Sequence, residues 1–173
     1  MNLYADLKDQ WDKLYPRNSE KQLEDFIQEI DNAKKSIEFS SHQPEWYKDA
    51  IVYSLYVDLF NENFIGLKDK LDYLQELGVN CLWLLPILDS PMKDAGFDIR
   101  NYDRIRFELL GLPETASLEE QRKLFRDFLQ EAHDRDIRVI FDIAINHTSD
   151  EHPWFRESRK SEDNPYRDFY HWS

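Results

Sequence analysis

Three short apolar runs lie beyond residue 45 of the chain, and polar residues follow each of them. The runs cover residues 50–57, 81–86 and 138–147, and they are rich in β-branched and aromatic side chains. Strands that are buried on both faces of a parallel sheet have this composition. We therefore predict three strands, and the third, RVIFDIAINH, is the one around which the rest of the chain is organised.

Between the runs, the apolar spacing changes to that of amphipathic helices. After Gly66 four leucines share one helical face, and Gly78 stands where a left-handed C-terminal cap belongs. Ser117 and Glu120 have the spacing of a capping box at the start of a second helix. A long loop, residues 87–116, precedes that helix. The two apolar faces consist of Leu67, Leu71, Leu74 and Leu77, and of Leu118, Phe125, Phe128, Leu129 and Ala132.

The order strand, helix, strand, loop, helix, strand predicts right-handed parallel βα units, whose sites lie after the strand ends. One carboxylate, Asp142, lies inside the third run, and Asn146 and His147 end it. Since an unpaired buried charge is costly, Asp142 needs either a neighbour that satisfies it or a function. The pattern by itself leaves both interpretations open.

The N-terminal part of the chain is predicted to be helical up to about residue 42. Two apolar stripes at helical spacing are separated by Pro16, and Ser19 with Gln22 has the form of a capping box for the second. The stripes consist of Leu3, Leu7, Trp11 and Leu14, and of Leu23, Phe26, Ile27, Ile30, Ala33 and Ile37. Residues 40–44 then form a short linker. We divide the chain into a helical extension at 1–43 and a second domain at 44–173.

The composition limits the partners that the chain can take. Its 35 acidic residues outnumber 22 basic ones and give a net charge of −13, which argues against nucleic acid and against an anionic membrane. Cys81 is the single cysteine, so neither an internal disulfide nor a cysteine-based zinc site can form. No signal peptide and no membrane-spanning stretch is recognised, so we expect a cytoplasmic protein.

Four stretches between residue 46 and the end resemble the α-amylase family, glycoside hydrolase family 13. They read WYKDAIVYSLYVDLF, GLKDKLDYLQELGV, CLWLLPILDSPMKDAGFDIRNYD and FDIAINHTSDEHPWF, and the last is similar to the first conserved region of the family. The resemblance implies a truncated TIM (β/α)8 barrel, about its first three βα units, behind the helical extension. Some stretches resemble the sequences of trehalose synthases and oligo-1,6-glucosidases, whereas YVDLFNENFIGL is more similar to those of amylosucrases.

The resemblance implies four substrate-binding residues. His147 is similar to the histidine that hydrogen-bonds the sugar in subsite −1, and Asp142 to the strand acid that organises the catalytic floor. Phe97 stands where the family usually has a tyrosine stacked on that sugar. Asp94 is similar to the acid that closes the pocket behind a terminal glucose, where it pairs with an arginine from late in the barrel.

Alternatives to these roles stay open. Phe97 can be an ordinary core residue, Asp94 an acid of a turn and His147 a strand-end cap. Further along, His133 and His152 show no metal-ligand pattern and are assigned to surface or packing roles, as are His42 and His171. The aromatic pairs near residues 154 and 170 are assigned to loop packing rather than to sugar subsites.

Metal and catalytic assignments are mostly negative. Asn146 matches a residue that is a calcium ligand in many amylases and otherwise structural, and Asp98 is likewise assigned as a structural or calcium-site residue. The loop at residues 61–63 lacks the acids that bind a metal in oligo-1,6-glucosidases. We therefore predict no cofactor and no metal for this chain, and calcium stays open for a longer parent enzyme. Asp136 stands where relatives often have glycine, which predicts a left-handed backbone there.

The nucleophilic aspartate, the general-acid glutamate and the His–Asp pair of the family follow its fourth, fifth and seventh strands, and no residue here matches them. We expect the N-terminal fragment of a retaining α-glucoside hydrolase or transglucosylase, inactive alone, whose substrates are sucrose, maltose, trehalose or short α-glucans. The alternative is a non-catalytic sugar-binding or interaction module of the same fold. Exposed sheet edges are expected to favour self-association.

Overall fold

The computed structural model describes residues 3–16, 20–36, 45–113 and 115–173, and the chain divides into two compact units. One is the sheet unit, Glu45–His152, and the other is the helical unit, Met1–Pro44 with Pro153–Ser173. The strands are β1 (Val52–Leu55), β2 (Cys81–Leu84), β3 (Leu88–Asp89), β4 (Asn101–Ile105) and β5 (Arg138–Phe141). The helices are α1 (Leu3–Leu14), α2 (Glu20–Ser36), α3 (Val57–Asn61), α4 (Phe64–Lys68), α5 (Leu71–Glu76), α6 (Leu118–His133) and α7 (Pro153–Ser158). The predicted domain boundaries, 1–43 and 44–173, stay predictions.

The sheet of the larger unit is parallel, with the strand order β1-β2-β5. Leu55, Leu84 and Phe141 lie opposite one another at the carboxyl ends of the three strands. The three predicted strands and their parallel order are therefore confirmed. Because the ends are level, the loops that follow the strands leave the sheet at one common edge.

The third strand is shorter and more exposed than predicted. It ends at Phe141, so that Asp142 and His147 belong to the following loop and not to the strand. Ile140 and Phe141 are 39% and 40% exposed, and the prediction that this strand is buried on both faces is wrong. Within the described part of the chain β5 pairs with β2 alone, and an outer strand lacks the second neighbour that would complete its burial.

The helix predicted after Gly66 is divided into α4 and α5. Leu67, Leu71 and Leu74 are fully buried, as predicted, and Gly78 has the left-handed φ of +89° that ends the segment. Leu77, however, is 55% exposed, and its assignment to the buried face is wrong. Leu77 is the C-cap residue of α5 and keeps helical backbone angles, so its exposure reflects its position at the end of the helix and not a loss of helical geometry.

Helix α6 begins with the predicted capping box. Ser117 Oγ accepts a hydrogen bond from the Glu120 N–H at 3.2 Å, and Glu120 Oε2 accepts one from the Ser117 N–H at 2.7 Å. Phe128 and Ala132 of its apolar face are buried, and the Phe128 ring lies 5.1 Å from that of Phe64. Asp136, between α6 and β5, has φ +58°, which confirms the left-handed backbone predicted there.

The long loop between β2 and α6 contains structure that the pattern did not reveal. Strands β3 and β4 pair antiparallel, with Leu88 opposite Ile105 and Asp89 opposite Asn101, and a bulge interrupts the register. Their pairing fixes residues 87–105 above the carboxyl ends of the parallel strands. The loop is therefore a folded element that carries site candidates.

The helical unit contains α1 and α2, as predicted. The Trp11 ring lies 5.7 Å from that of Phe26, the Tyr15 ring lies 5.5 Å from that of Phe169, and Leu23 is fully buried. The predicted cap at residues 19–22, the linker at 40–44 and the apolar residue at 37 involve positions outside the described residues. No helix among the described residues is long and apolar enough to cross a membrane.

Candidate carbohydrate site

Three loops meet at the common edge of the parallel sheet. They follow β1, β2 and β5 and carry Tyr56, the segment 85–100 and the segment 142–152. Tyr56 Oη lies 3.4 Å from the carbonyl oxygen of Ala95, and the Ser149 N–H donates to the carbonyl of Ile99 at 2.9 Å. The contacts join the second loop to both of its neighbours. The loop that carries Asp94 is therefore in contact with the loop that carries His147.

Asp98 organises the loop that carries Asp94. Its buried carboxylate accepts hydrogen bonds from the Ser90 hydroxyl at 2.6 Å and from the backbone N–H groups of Lys93 at 3.0 Å and Asp94 at 3.2 Å. Burial by itself would raise the pKa of the carboxyl, but these hydrogen bonds outweigh it and lower the pKa below the usual value. Asp98 thus stays ionised and fixes the turn, in keeping with its predicted structural role.

The backbone of the same turn is tightly constrained. Met92, Ala95 and Gly96 have φ values of +59°, +50° and +93°. A Cβ atom placed on Gly96 would lie 2.9 Å from Cβ of Pro86, so glycine is required there for space as well as for its φ. The Phe97 N–H donates to the carbonyl of Asp94 at 2.8 Å and closes the turn.

Asp94 and Phe97 leave this turn in different environments. The Asp94 side chain is exposed, and among the described residues its carboxylate has no hydrogen-bond or ion-pair partner. Phe97 is half-buried and packs on the apolar core of the sheet unit. The carboxylate is therefore available to a ligand, and the aromatic ring is only partly taken up by the core.

Asp142 and His147 occupy the loop after β5. The Asp142 N–H donates to the carbonyl of Leu84 at 2.9 Å, and its carboxylate is half-buried with no partner among the residues that the structure describes. The His147 ring is exposed, and its Nδ1 lies 3.2 Å from Oδ1 of Asn146. Because no neighbour among the described residues satisfies the Asp142 carboxylate, the interpretation of Asp142 as a functional residue is retained.

Tyr102 supports the backbone of this loop, a role that no sequence motif indicated. Its hydroxyl lies 2.8 Å from the carbonyl of Ala144 and 3.1 Å from the carbonyl of His147. The ring of the buried His152 lies edge-on at 5.7 Å, and burial lowers the pKa of that imidazole. His152 therefore has the packing role that its sequence context predicted.

Charged groups connect the second loop to the third. Lys93 Nζ lies 3.0 Å from carboxylate oxygens of both Asp150 and Glu151. Arg100 forms a two-pronged contact with Asp89, at 2.6 Å and 2.8 Å, and reaches Glu151 at 3.5 Å. A pairing between loops more than 50 residues apart in sequence cannot be deduced from spacing alone.

A second ion pair that the sequence did not reveal joins Arg106 and Asp58. The guanidinium of the buried Arg106 lies 2.6 Å from the carboxylate of Asp58, three residues beyond the end of β1. The pair links α3 to the end of β4. The signal available in the sequence was only that Asp58 follows a strand end.

The calcium ion left open by the resemblance does not fit the residues present. Both carboxylate oxygens of Asp98 already face N–H or O–H donors, and the Asn146 amide lies on the exposed part of another loop. No group of three acidic, histidine or cysteine side chains suited to a metal occurs among the described residues. These side chains accordingly do not form a calcium site.

The aromatic residues of the helical unit pack on one another. The Trp154 ring lies 5.3 Å from Phe169, and the Phe155 ring lies 5.1 Å from Tyr170 and 5.7 Å from Trp172. These contacts agree with the predicted loop packing. They give no reason to assign the rings to sugar subsites.

A family model described as alpha amylase, catalytic domain, matches residues 16–173. The chain belongs to the α-amylase family, glycoside hydrolase family 13. Its parallel sheet and helices are the first βα units of a (β/α)8 barrel, and the predicted fold is confirmed.

Two of three similar proteins come from groups that the sequence suggested. An oligo-1,6-glucosidase from Heyndrickxia coagulans is 47% identical over 135 residues, which are 74% of this chain and 22% of that protein. A trehalose synthase from a Pimelobacter species is 46% identical over 138 residues, or 76% of this chain and 22% of that protein. The crystal structure of Bacillus licheniformis trehalose-6-phosphate hydrolase has a TM-score of 0.64 at 38% identity, and the match covers 74% of this chain and 22% of that chain. The chain thus spans about a fifth of the length of these relatives.

Proposed function

We propose that the sheet unit supplies the first part of the glucose-binding floor of a retaining enzyme that acts on glucose-terminated α-glucosides. The observation that carries the proposal is that two carboxylates without a partner among the described residues, Asp94 and Asp142, and the exposed imidazole of His147 lie in loops that leave the carboxyl edge of a family 13 sheet. The names of the relatives, glucosidases and enzymes of trehalose, support α-glucosides as the substrate class.

The residue types suit this chemistry. The transition state of glucosyl transfer carries positive charge on the sugar, which nearby carboxylates stabilise. A neutral imidazole such as that of His147 can donate to or accept from a sugar hydroxyl. The exposed face of Phe97 can stack on the C–H face of the glucose ring, and Asp94 can accept hydrogen bonds from the hydroxyls of its far end. Asn146 orients the His147 ring from the same loop.

The proposal assigns neither the nucleophile nor the general acid to residues 1–173. Asp142 is the nearest substitute, but its position matches the floor acid of the family instead. We therefore expect the 173-residue chain by itself to turn over none of sucrose, maltose and trehalose. A complete enzyme that contains the segment should release or transfer glucose with retention of the α-configuration.

The test assays the purified chain and a complete parent enzyme side by side on these three sugars. Reproducible glucose release by the chain alone that disappears in Asp142→Ala, with unchanged stability, would overturn the assignment. If the complete protein binds glucosides but never cleaves or transfers them, a non-catalytic sugar-binding module is correct instead.

A further inference from the structure

The most informative contacts that the proposed function leaves unused are those of Lys93. This lysine directly precedes Asp94 in the turn, and its ammonium is the cationic group closest in sequence to the Asp94 carboxylate. Asp94 nevertheless has no ion-pair partner among the described residues. The ammonium is held instead by Asp150 and Glu151 of the neighbouring loop, each at 3.0 Å.

We propose that Asp150 and Glu151 are positioning residues that hold the Lys93 ammonium away from Asp94 and so keep the Asp94 carboxylate available for substrate. The inference rests on the proposed function, because it concerns the same pocket. The two acids would influence substrate binding indirectly, through a lysine that itself touches no sugar.

The surroundings of Glu151 show how the lysine is held. The Glu151 carboxylate lies between Lys93 and Arg100, and the Glu151 N–H donates to Ser149 Oγ at 3.1 Å. Hydrogen bonding from Lys93, followed by that from Arg100, lowers the pKa of Glu151, so the carboxylate is ionised at neutral pH. Arg100 is in turn fixed by its two-pronged contact with Asp89. The anion that holds the lysine is therefore itself anchored.

Lys93 needs to be held in this way because of the chemistry of its side chain. The ammonium sits on a flexible four-carbon stem, so a Lys93 without partners can reach the carboxylate of the next residue. A carboxylate so paired accepts fewer hydrogen bonds from a sugar and attracts less strongly the arginine that the family pattern places opposite it. Holding the lysine elsewhere leaves the full charge of Asp94 for the substrate.

The decisive experiment uses charge removal and its reversal in the complete enzyme. The double variant Asp150→Asn with Glu151→Gln frees Lys93, and we expect it to raise KM for maltose about two- to fivefold with kcat little changed, as for a partly exposed ion pair. Adding Lys93→Gln to that double variant should return KM to the wild-type value. Lys93→Gln alone should leave KM unchanged.

The outcomes distinguish the positioning of Lys93 from a purely structural link between the two loops. If the two acids merely fasten the loops together, Lys93→Gln alone raises KM as much as the double variant, and the triple variant is not rescued; either result overturns the inference. Asp127→Asn, which removes one carboxylate from the Lys123 ion pair on α6, is the matched control and should leave KM unchanged. If the double variant fails to fold, the single variant Glu151→Gln with and without Lys93→Gln decides the question.

A further variant distinguishes failure of the inference from failure of the proposed function. Asp94→Asn should raise KM for maltose by more than the acid substitutions do. If Asp94→Asn changes KM and the acid substitutions do not, only the role of Asp150 and Glu151 is wrong. If Asp94→Asn itself has no effect, the proposed pocket is wrong, and the inference falls with it.

Discussion

At the scale of single residues, the role of each carboxylate near the sheet edge depends on the hydrogen-bond donors around it. Asp98 is surrounded by three N–H and O–H donors and therefore has a structural role. Asp94, four residues earlier, has no donor at its carboxylate within the described part of the chain. The same side-chain chemistry thus supports the loop at one position and faces solvent at the other.

The first prediction concerns Asp94. In the complete enzyme Asp94→Ala should lower kcat/KM on maltose by about 10- to 150-fold, since a lost hydrogen bond to a charged group costs on the order of 1.5–3 kcal/mol. Asp69→Asn, an exposed aspartate at the end of α4, is the control and should have no effect. Maltose turnover within about twofold of wild type would mean that Asp94 is only a turn residue.

The second prediction concerns Asp98 and pH. Its lowered pKa means that its contribution to stability is present above the pKa of an unfolded aspartate, about 3.9, and is lost as the pH falls through the lower folded value. Asp98→Asn should therefore speed amide hydrogen exchange at Lys93 and Asp94 by about 10-fold or more at pH 6. The difference should shrink below pH 4, after correction for intrinsic exchange.

A control sharpens this measurement. Asp103→Asn removes an exposed carboxylate from β4 and should leave exchange in the 90–98 turn unchanged. Protection at Lys93 and Asp94 that is equal in wild type and Asp98→Asn would show that the carboxylate does not hold the turn.

Motifs in the sequence named some of the candidate residues and left others unnamed for a physical reason. Asp94, Phe97 and His147 could be named because each follows a strand end inside a recognisable motif. Tyr102 and Glu151 could not, because their roles depend on contacts between loops that are distant in sequence. A motif identifies the groups that meet a ligand more readily than the groups that hold them in place.

At the scale of elements, the turn at residues 90–98 is built by backbone geometry as much as by side chains. The apolar pattern identified β2, which precedes this region, but not the β3–β4 pair that flanks the turn, because β3 has only two residues and therefore shows no periodicity. The pattern also extended β5 into the following loop. The apolar composition typical of a strand continues beyond Phe141, whereas the pairing of β5 with β2 ends there.

The third prediction compares two glycines with similar backbone angles. Gly96→Ala adds a clash with Pro86 to an unfavourable φ, whereas Gly78→Ala meets open space, with only Ile51 Cδ1 at 3.9 Å. Gly78→Ala should cost about 1–2 kcal/mol of stability, and Gly96→Ala about 1–3 kcal/mol more. Denaturant unfolding of the complete enzyme measures both.

The functional consequences should differ as well. Gly96→Ala should also raise KM for maltose, because the clash moves the turn that carries Asp94 and Phe97. Gly78→Ala, at the opposite end of the sheet, should not change KM. Equal effects of the two substitutions on stability and on KM would contradict the close contact with Pro86.

At the scale of the whole molecule, the sheet unit leaves apolar surface exposed. Ile140, Phe141 and Ile143 of β5 and its loop are exposed, and Ile145 is 86% exposed. Beside them lies a cavity of about 240 Å³ lined by Leu88, Phe125, Phe141 and neighbouring side chains. Monomeric soluble proteins rarely leave such a patch uncovered. The exposure is expected if the three strands are part of a larger barrel.

The fourth prediction concerns the isolated 173-residue chain. We expect it to bind a dye for exposed apolar surface and to self-associate, because its sheet has open edges next to this patch. Analytical ultracentrifugation and dye fluorescence measure the two properties. A monomeric mass together with a sharp cooperative melt would contradict the prediction and favour an independent domain.

We propose that these residues begin the barrel of an α-glucoside-acting enzyme, and the nucleotide sequence that follows the codon for Ser173 tests this proposal. We expect an open reading frame that continues through five more βα units, with an aspartate after the fourth strand and a glutamate after the fifth. A stop codon at that point, together with a monomeric and cooperatively folded 173-residue chain, would contradict it.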